Sequence, residues 1–268
     1  MVESTRDIWF SDRLVMKRYR SWLNGEADRE WRGLSLLDRT VPGLAPHPLE
    51  RRVEDGAPII VMTRVPGAAL GSSALNSEQL AGLAQTLKNM FAAARREELQ
   101  KLDERRWGPS QMVSKLRAWI DEARPVLEPL VEEALRAAKR WLGSSQATAL
   151  GGPLVERAFT NADGNIGNFI WDGERCYVVD FEDSGVSDPV YEIADLVEHV
   201  SVWLPGLIKA DEFATSLALS NEQERRLLSF RRLMAVFWLL MLLPGNPGDA
   251  RNPRGSLDRQ ATHVVDLL

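Results

Sequence analysis

The chain begins with two short apolar runs, continues with apolar residues at helical spacing, and then has a further apolar run. Residues 8–10 and 14–16 are β-prone, and the Ser-Asp pair at 11–12 between them is typical of a turn, which predicts a β-hairpin. Residues 27–37 carry Trp and Leu at helical spacing and predict a helix. The apolar run at 58–66 has the length and composition of a buried strand. This part of the pattern indicates a small β-rich unit with one helix.

The pattern after residue 66 is mainly helical. A turn-rich stretch at 41–48 and a run of small residues at 67–73 lie on either side of the buried strand, and the second is expected to join two lobes. Residue 244 begins a Gly-, Pro- and Asn-rich stretch that reaches 260 and is expected to be a mobile surface segment. Short strands are expected at 158–182. Helices are expected from Ser77, which can cap the first turn, at 109–142 with a break at Pro125 and Pro129, at 190–203 and at 222–243.

This order of elements predicts an α+β fold of two lobes. Residues 1–66 would form a reduced, β-rich N-terminal lobe, and residues 67–268 a larger helical C-terminal lobe. Active sites favour the cleft between two such lobes.

Composition and charge are those of an ordinary globular protein. Hydrophobic residues make up 44% and charged residues 26% of the 268 residues. The net charge of −5 argues against a general affinity for nucleic acid. Cys176 is the single cysteine, so it forms no internal disulfide and is expected to be packed. The first residues lack the apolar core of a signal peptide, and the run at 234–243 is about half a membrane span. We therefore expect a cytoplasmic protein without a membrane partner.

Residues 159–185 carry the candidate chemistry. Asp163 and Asn168 stand five positions apart in a glycine-containing loop, and a strand, an Asp-Gly turn and a return strand then lead to Asp180. The start of one strand and the end of its antiparallel partner lie together, so all three side chains should meet. Asp163, Asn168 and Asp172, taken singly, are typical of turns. Together they suit phosphoryl transfer, which needs Mg²⁺ on oxygen ligands and a carboxylate facing the acceptor hydroxyl.

The same segment resembles the catalytic and metal-binding loops of the aminoglycoside phosphotransferase and choline kinase superfamily. The resemblance rests on Asp163-x-x-x-x-Asn168, on Asp180-Phe181 and on GVSDPVYEIADL at 185–196. It implies a protein-kinase-like fold, Asp163 as the catalytic base, and Asn168 and Asp180 as magnesium ligands. ATP or GTP would be the phosphate donor. Within 185–196, Asp188 and Glu192 are expected to cap and brace a helix, and His199 beyond it to be a packed or hydrogen-bonded core histidine.

The resemblance extends to the N-terminal part more weakly. VMKRY at 15–19 resembles the strand whose lysine holds the nucleotide phosphates, which would be Lys17. Glu30 would be the helix glutamate that pairs with this lysine, with Glu26 as an alternative on nearly the same helix face. IIVMTRVPG at 59–67 resembles the hinge strand that contacts adenine through backbone groups. In this chain those groups would belong to Met62, Thr63 and Val65.

Two departures from the family pattern affect what can be expected. The chain has Asn161-Ala162-Asp163 where the family usually has His-Gly-Asp, and Asn161 can replace part of the bracing that the histidine gives. No glycine precedes Gly25, so a glycine-rich loop over the phosphates is expected to be shortened or absent. Lys17 would then carry a larger share of phosphate binding. We expect weak nucleotide affinity, in the range of hundreds of micromolar, or roughly −5 kcal/mol.

Three functions agree with this pattern. The favoured one is phosphorylation of a hydroxyl on a small molecule, with an antibiotic or related natural product as the leading acceptor by resemblance. A kinase acting on choline, homoserine or a sugar-like metabolite is the first alternative. The second is a nucleotide-binding pseudoenzyme without turnover, which the missing glycine-rich loop favours and the intact acidic loop residues disfavour. Neither the acceptor nor the oligomeric state follows from the sequence.

Overall fold

The computed structural model describes residues 6–20, 24–123 and 128–268. Its N-terminal part is an antiparallel sheet with the strand order β1-β2-β4-β3, and one helix packs against β3 and β4. These elements are β1 (Arg6–Phe10), β2 (Leu14–Tyr19), helix α1 (Glu26–Thr40), β3 (Pro48–Glu54) and β4 (Ala57–Thr63). The β1-β2 hairpin and α1 confirm the predictions for this region.

Strand β4 lies inside the sheet and β3 at its edge. Because β4 pairs with β2 on one side and β3 on the other, its apolar run is buried as predicted, although the strand ends at Thr63 rather than at residue 66. Strand β3 was not predicted, since its residues are mostly charged and exposed. Asp55 and Gly56, both at positive φ (49° and 74°), make the tight turn that joins β3 to β4.

The C-terminal part is built mainly from helices. Helix α10 packs along α7 and against α11, and α11 packs along α5. No helix within the described ranges is long and apolar enough to cross a membrane. The helices are α2 (Ser77–Phe91), α3 (Arg96–Leu99), α4 (Pro109–Glu122), α5 (Pro129–Leu142), α6 (Ser145–Leu150), α7 (Pro189–Glu198), α8 (Val200–Trp203), α9 (Ala210–Leu217), α10 (Asn221–Met241) and α11 (Ser256–Leu267).

Several helix boundaries differ from the predictions. Asn76, not Ser77, caps α2, because its side chain accepts a hydrogen bond from the backbone N–H of Gln79. The helix predicted at 190–203 breaks at His199 into α7 and α8. The stretch at 244–260 is not a mobile surface segment throughout, since its last residues begin α11 and bury Gln260 completely. Pro129 starts α5 as expected, whereas Pro125 lies outside the described residues.

Short strands between α6 and α7 carry the candidate loops. The hairpin predicted around the Asp-Gly turn forms, because the Asp172 carboxylate accepts hydrogen bonds from the backbone N–H groups of Glu174 and Arg175, at 2.9 and 2.7 Å. A 3₁₀ turn (Ile166–Asn168) leads directly into it. The strands are β5 (Ala68–Ala69), β6 (Ala158–Thr160), β7 (Phe169–Trp171), β8 (Cys176–Val178) and β9 (Gly185–Ser187), which pair as β5-β7-β8 and β6-β9.

Helix α1 approaches the end of β8 closely at Gly33. A Cβ atom at Gly33 would lie 3.0 Å from the Phe181 Cβ and 3.1 Å from the Phe159 ring. The two rings stack with their centroids 6.1 Å apart, and both are buried. Glu30 lies one turn before Gly33 on the same helix face. This contact therefore sets how near Glu30 comes to the residues after β8.

We expect Gly33→Ala to destabilise the protein although alanine is the better helix former. The gain in helix propensity is about 1 kcal/mol, and the overpacking against the phenylalanine pair costs about 1–3 kcal/mol. The net loss should lower the Tm by a few degrees, measured by calorimetry. Arg32→Ala, at the exposed neighbouring position of α1, is the matched control and should leave the Tm nearly unchanged. A Gly33→Ala protein as stable as the wild type would contradict this close approach.

The backbone after β6 is strained at Ala162. This residue is buried and has a φ of 60°, in the left-handed region that a side chain with a Cβ disfavours by roughly 1–2 kcal/mol. Ala218, exposed after α9, has a similar φ of 55°. Ala92, exposed after α2, has an ordinary φ of −86°. The three alanines form a matched set for measuring backbone strain.

We expect Ala162→Gly to stabilise the fold, because glycine adopts the left-handed conformation without the Cβ penalty. The gain should be about 0.5–1 kcal/mol after the larger entropy loss of glycine on folding. Chemical denaturation of the three variants tests this expectation. Ala218→Gly should also stabilise, whereas Ala92→Gly should destabilise. Destabilisation by Ala162→Gly beside stabilisation by Ala218→Gly would mean that the Ala162 methyl contributes more by packing than its backbone conformation costs.

Candidate active site

Lys17 joins the sheet to α1 and to the segment after β8. Its Nζ lies 2.8 Å from Glu30 Oε1 and 2.9 Å from Asp180 Oδ1. The Lys17 and Glu30 side chains are 7% and 0% exposed, so the pair is shielded from water. Burial alone would lower the pKa of Lys17, but the Glu30 and Asp180 carboxylates outweigh it and raise the pKa above its ordinary value. The lysine is therefore a fixed positive charge.

Glu30, rather than Glu26, is the partner of this lysine. The second carboxylate oxygen of Glu30 accepts a hydrogen bond from the Phe181 backbone N–H at 2.6 Å. Glu26 instead faces Asn24, 3.5 Å away. One glutamate thus fixes both the lysine and the residue that follows Asp180, so the position of α1 and that of the Asp180 segment depend on each other.

The Asp163 carboxylate is oriented by its own loop. Its Oδ2 accepts from the Asn168 side-chain amide at 2.8 Å, and its Oδ1 accepts from the Asn165 backbone N–H at 2.9 Å. The buried Asn161 amide donates to the Asp163 backbone carbonyl at 3.1 Å, which is the bracing expected of it. Because Asn168 uses its amide nitrogen on Asp163, its carbonyl oxygen is the atom left to face a cation.

Helix α7 supports this loop from behind. A Cβ atom at Gly164 would lie 2.5 Å from the Asp195 carbonyl oxygen, so the loop and the helix touch through their backbones. Arg105 fixes α7 in turn, with hydrogen bonds to Glu192 (2.6 Å) and Asp195 (3.1 Å). Asp188 caps α7 by accepting from Val190 N–H at 2.9 Å. The structure thereby confirms that Asp188 and Glu192 cap and brace the helix.

His199 lies between the loop and α10. Its ring contacts the Trp238 ring edge-on, with centroids 4.7 Å apart, and accepts a hydrogen bond from the Ser201 N–H at 3.1 Å. Burial lowers its pKa to about 4, and the Asp163 carboxylate only partly opposes this effect. His199 is therefore a neutral, packed histidine, as the sequence predicted.

Two charged residues that the sequence analysis did not select complete the site. Arg6 donates hydrogen bonds to Asp180 and to Glu182. Burial, reinforced by Asp180, raises the pKa of Glu182 to about 8, and Arg6 opposes this rise. The acidic run that follows Asp180 in the sequence could have indicated Glu182. No sequence pattern indicates Arg6, because only the pairing of β1 with β2 brings this residue to the site.

The predicted hinge residues lie at and just beyond the end of β4, and Met62 among them shares the strand face that carries Lys17. Val15, two residues before Lys17, pairs with Met62, and Met62 is buried. The Thr63 N–H donates to the His47 carbonyl at 2.9 Å, so only the Thr63 carbonyl remains for a ligand. Val65 follows beyond the end of β4 and is half-buried. The structure therefore places only Met62 on the sheet face that carries Lys17, whereas the Thr63 side chain points to the opposite face.

The donor set fits Mg²⁺ held jointly with a nucleotide. No group of three or more His, Cys, Asp or Glu residues in the described part of the chain has an arrangement that holds a metal. Mg²⁺ in kinases is commonly bound by one or two carboxylates together with substrate phosphates and water. Asn168 and Asp180 suit that mode, since they lie at one end of the β7-β8 hairpin.

Two cavities formed by the described residues lie away from this cluster. One of about 660 Å³ lies between α4, α6 and α10, and one of about 400 Å³ lies beside the start of α4. Neither is lined by Lys17, Asp163 or Asp180. Phosphoryl transfer takes place in a cleft that closes around its ligands, so we place the site by its converging polar groups rather than by cavity volume.

Solved structures show the same fold. A choline/ethanolamine kinase family protein from Mesorhizobium loti has a TM-score of 0.67 at 16% identity, over 99% of this chain and 85% of that one. Spectinomycin phosphotransferase APH(9)-Ia, solved with ADP and spectinomycin, has a TM-score of 0.62 at 13% identity, over 99% and 86%. Choline kinase LicA from Streptococcus pneumoniae has a TM-score of 0.61 at 16% identity, over 100% and 90%.

These likenesses confirm the predicted protein-kinase-like α+β fold. No curated protein matches the chain in sequence. The model of the phosphotransferase enzyme family matches residues 3–228, which include the sheet, the Asp163 loop and the Asp180 segment. The chain therefore belongs to the phosphotransferase enzyme family.

Proposed function

We propose that this phosphotransferase moves the terminal phosphoryl group of ATP or GTP to a hydroxyl of a small molecule. The observation that carries the proposal is the bond between Lys17 and Asp180, which joins the buried Lys17–Glu30 pair to the segment after β8. That segment begins beside the Asp163 loop, because the Val179 N–H donates to the Asn168 backbone carbonyl at 2.9 Å. In the proposed site a fixed cation, an oriented carboxylate and an amide oxygen would face one bound phosphoryl group. That set suits transfer of a highly charged phosphoryl group.

Asp163 would act on the acceptor. Each of its oxygens accepts one hydrogen bond from the loop, and each carboxylate oxygen has a second lone pair to receive the acceptor O–H. The carboxylate would orient the hydroxyl toward the phosphorus and take up its proton as the new O–P bond forms. Bound Mg²⁺ would supply charge neutralisation at the phosphate oxygens. Asn168 and Asp180 would hold it, and Lys17 would hold the phosphates.

The nucleotide base would lie under the sheet. Register places Ile8 and Phe10 of β1 on the same face as Val15, Lys17 and Met62. Ile8 and Phe10 are 39% and 66% exposed, so this apolar face is open to a ligand. A purine ring would cover it, and the Thr63 carbonyl with the Val65 backbone would bind the ring edge. These contacts do not separate ATP from GTP.

An apolar cluster beside the loop bears on the acceptor. Val200, Leu204, Trp238 and Leu242 form a core separate from the main one, with Phe237 and Trp203 half-buried around it. Ser201 in the same helix accepts a hydrogen bond from the Ile166 N–H at 3.2 Å, which ties the cluster to the Asp163 loop. Aromatic faces bind quaternary ammonium groups well. In this chain the Trp203 ring already stacks on His263, with centroids 4.0 Å apart, and His199 packs edge-on against Trp238, so the cluster leaves a choline-like metabolite and a natural-product antibiotic as equal candidates.

A transfer assay with a panel of acceptors separates these candidates. Spectinomycin and hygromycin B are bound by two of the structural neighbours, and others are choline kinases. The panel would therefore include these antibiotics, choline, homoserine and sugars, each with ATP and with GTP. Nucleotide binding without transfer to any acceptor would favour the pseudoenzyme.

We expect Asp163→Asn to lower kcat by several powers of ten. The amide cannot accept the hydroxyl proton, yet it keeps the size of the side chain, so the affinity for the nucleotide should change little. Steady-state kinetics and calorimetry measure the two quantities. Asp211→Asn, at an exposed position of α9, is the control and should leave both unchanged. An unchanged kcat in Asp163→Asn would remove Asp163 from the mechanism.

We expect Asp180→Ala to abolish the dependence of nucleotide binding on Mg²⁺. The divalent cation loses its only protein carboxylate ligand in the proposed set, while Lys17 keeps its partner Glu30. Calorimetric titration of the nucleotide with and without Mg²⁺ tests this expectation, and Asp183→Ala serves as a neighbouring acidic control. The same Mg²⁺ dependence in Asp180→Ala and in the wild type would exclude Asp180 as a metal ligand.

A further inference from the structure

We propose that Arg6 is a phosphate-positioning residue that rests on the Asp180 and Glu182 carboxylates until a metal-nucleotide complex binds. When the complex arrives, Arg6 releases Asp180 to the metal and its guanidinium turns to the nucleotide phosphates. This inference rests on the proposed function, because it concerns the same nucleotide site. It assigns to a strand residue the role that a glycine-rich backbone loop commonly fills.

The resting contact covers the candidate metal ligand. The Arg6 side chain is 17% exposed and donates to one Asp180 oxygen and to one Glu182 oxygen. Lys17 already bonds the other Asp180 oxygen at 2.9 Å. Both oxygens of the Asp180 carboxylate therefore have a cationic partner. A divalent ion gains an Asp180 oxygen with good geometry only if one of these two pairs opens.

Arg6, rather than Lys17, is the partner that can leave. Lys17 lies in β2, which is paired on both sides, and it is also fixed by the fully buried Glu30 carboxylate. Arg6 is the first residue of β1, at the edge of the sheet, where β1 is paired on one side only, and its side chain is more exposed than that of Lys17. Opening the Arg6 contact leaves the Lys17–Glu30 pair intact, whereas opening the Lys17 contact disturbs a buried charge.

The contact with Glu182 is an incomplete bridge. One Glu182 carboxylate oxygen is buried and has no hydrogen-bond partner in the described part of the chain. A bridge whose role was only to stabilise the fold would be expected to satisfy that oxygen, because an unpartnered buried acceptor costs about 1–3 kcal/mol. The arrangement instead suits a temporary position of the guanidinium.

The chemistry of the guanidinium suits the second position. It donates two parallel hydrogen bonds to phosphate oxygens and keeps its charge at any working pH. The turn that joins β1 to β2 consists of Ser11, Asp12 and Arg13, so it offers no glycine-rich backbone to phosphates. With Lys17 alone, one compact charge would have to fix a flexible chain of phosphates. Arg6 adds the directional contact that an ammonium group lacks.

Three proteins test the proposal: the wild type, Arg6→Gln and the control Arg18→Gln. Arg18 lies on β2 next to Lys17, on the opposite face, and pairs with exposed Asp55 at 3.8 Å. We expect Arg6→Gln to bind the magnesium complex of a non-hydrolysable ATP analogue at least about tenfold more weakly, with adenosine affinity unchanged. Because the competing cation is gone, Mn²⁺ alone should bind about threefold more tightly. Arg18→Gln should change neither affinity.

The opposite signs of the two effects separate this role from a purely structural one. A loss of Mn²⁺ affinity in Arg6→Gln, or analogue affinity within twofold of the wild type, would overturn the proposal. If Arg6→Gln does not fold, Arg6→Lys replaces it and should bind the analogue with intermediate affinity, since it keeps the charge but not the fork. Failure of the wild type to bind any nucleotide would overturn the proposed function as well, whereas equal binding by wild type and variant overturns only the role of Arg6.

Discussion

The buried contact among Lys17, Glu30 and Asp180 is the interaction on which the rest of the site depends. Each residue comes from a different element: the sheet, α1 and the segment after β8. Removing charges from water costs several kcal/mol per ion, so such a set persists only where each charge keeps a close partner. Loss of Lys17 would leave the fully buried Glu30 carboxylate without its cation. The three elements are consequently held in one relative position, which is the position that a phosphate-binding site needs.

The loop that bears Asp163 is fixed by a different means. Within the described part of the chain this loop forms no buried ion pair, and its shape comes from side-chain hydrogen bonds within the loop and from backbone contact between Gly164 and α7. The buried ion pairs lie behind the loop, where Arg105 pairs with two carboxylates of α7. This separation leaves the Asp163 carboxylate half-buried, and no cationic side chain among the described residues forms an ion pair with it. A carboxylate that must accept a proton from an alcohol benefits from that freedom.

The sequence predicted those parts of the molecule whose signals are local. The spacing of the hydrophobic residues predicted the β1-β2 hairpin, α1 and the buried helix α10. The five-residue spacing of Asp163 and Asn168 predicted that both lie on one loop. Strand β3 was missed because its exposed face is charged, although the Asp-Gly pair at 55–56 is a strong hairpin signal. Arg6 could not be found from the sequence, because its role depends on a contact across 174 positions. The roles of the site residues stay predictions.

The charges of the site argue that metal and nucleotide bind together rather than in turn. A metal ion alone would face Lys17 and Arg6, which already neutralise Asp180 and repel a third cation. A nucleotide alone would bring phosphates close to the Asp180 and Asp163 carboxylates, with the same unfavourable sign. In the proposed site the metal-nucleotide complex would remove both problems, because the cation would meet the carboxylates while the phosphates would meet Lys17 and Arg6. Each component would raise the affinity for the other by the repulsion it removes, and such coupling is reciprocal. A site built in this way would discriminate against free nucleotide without any contact to the base.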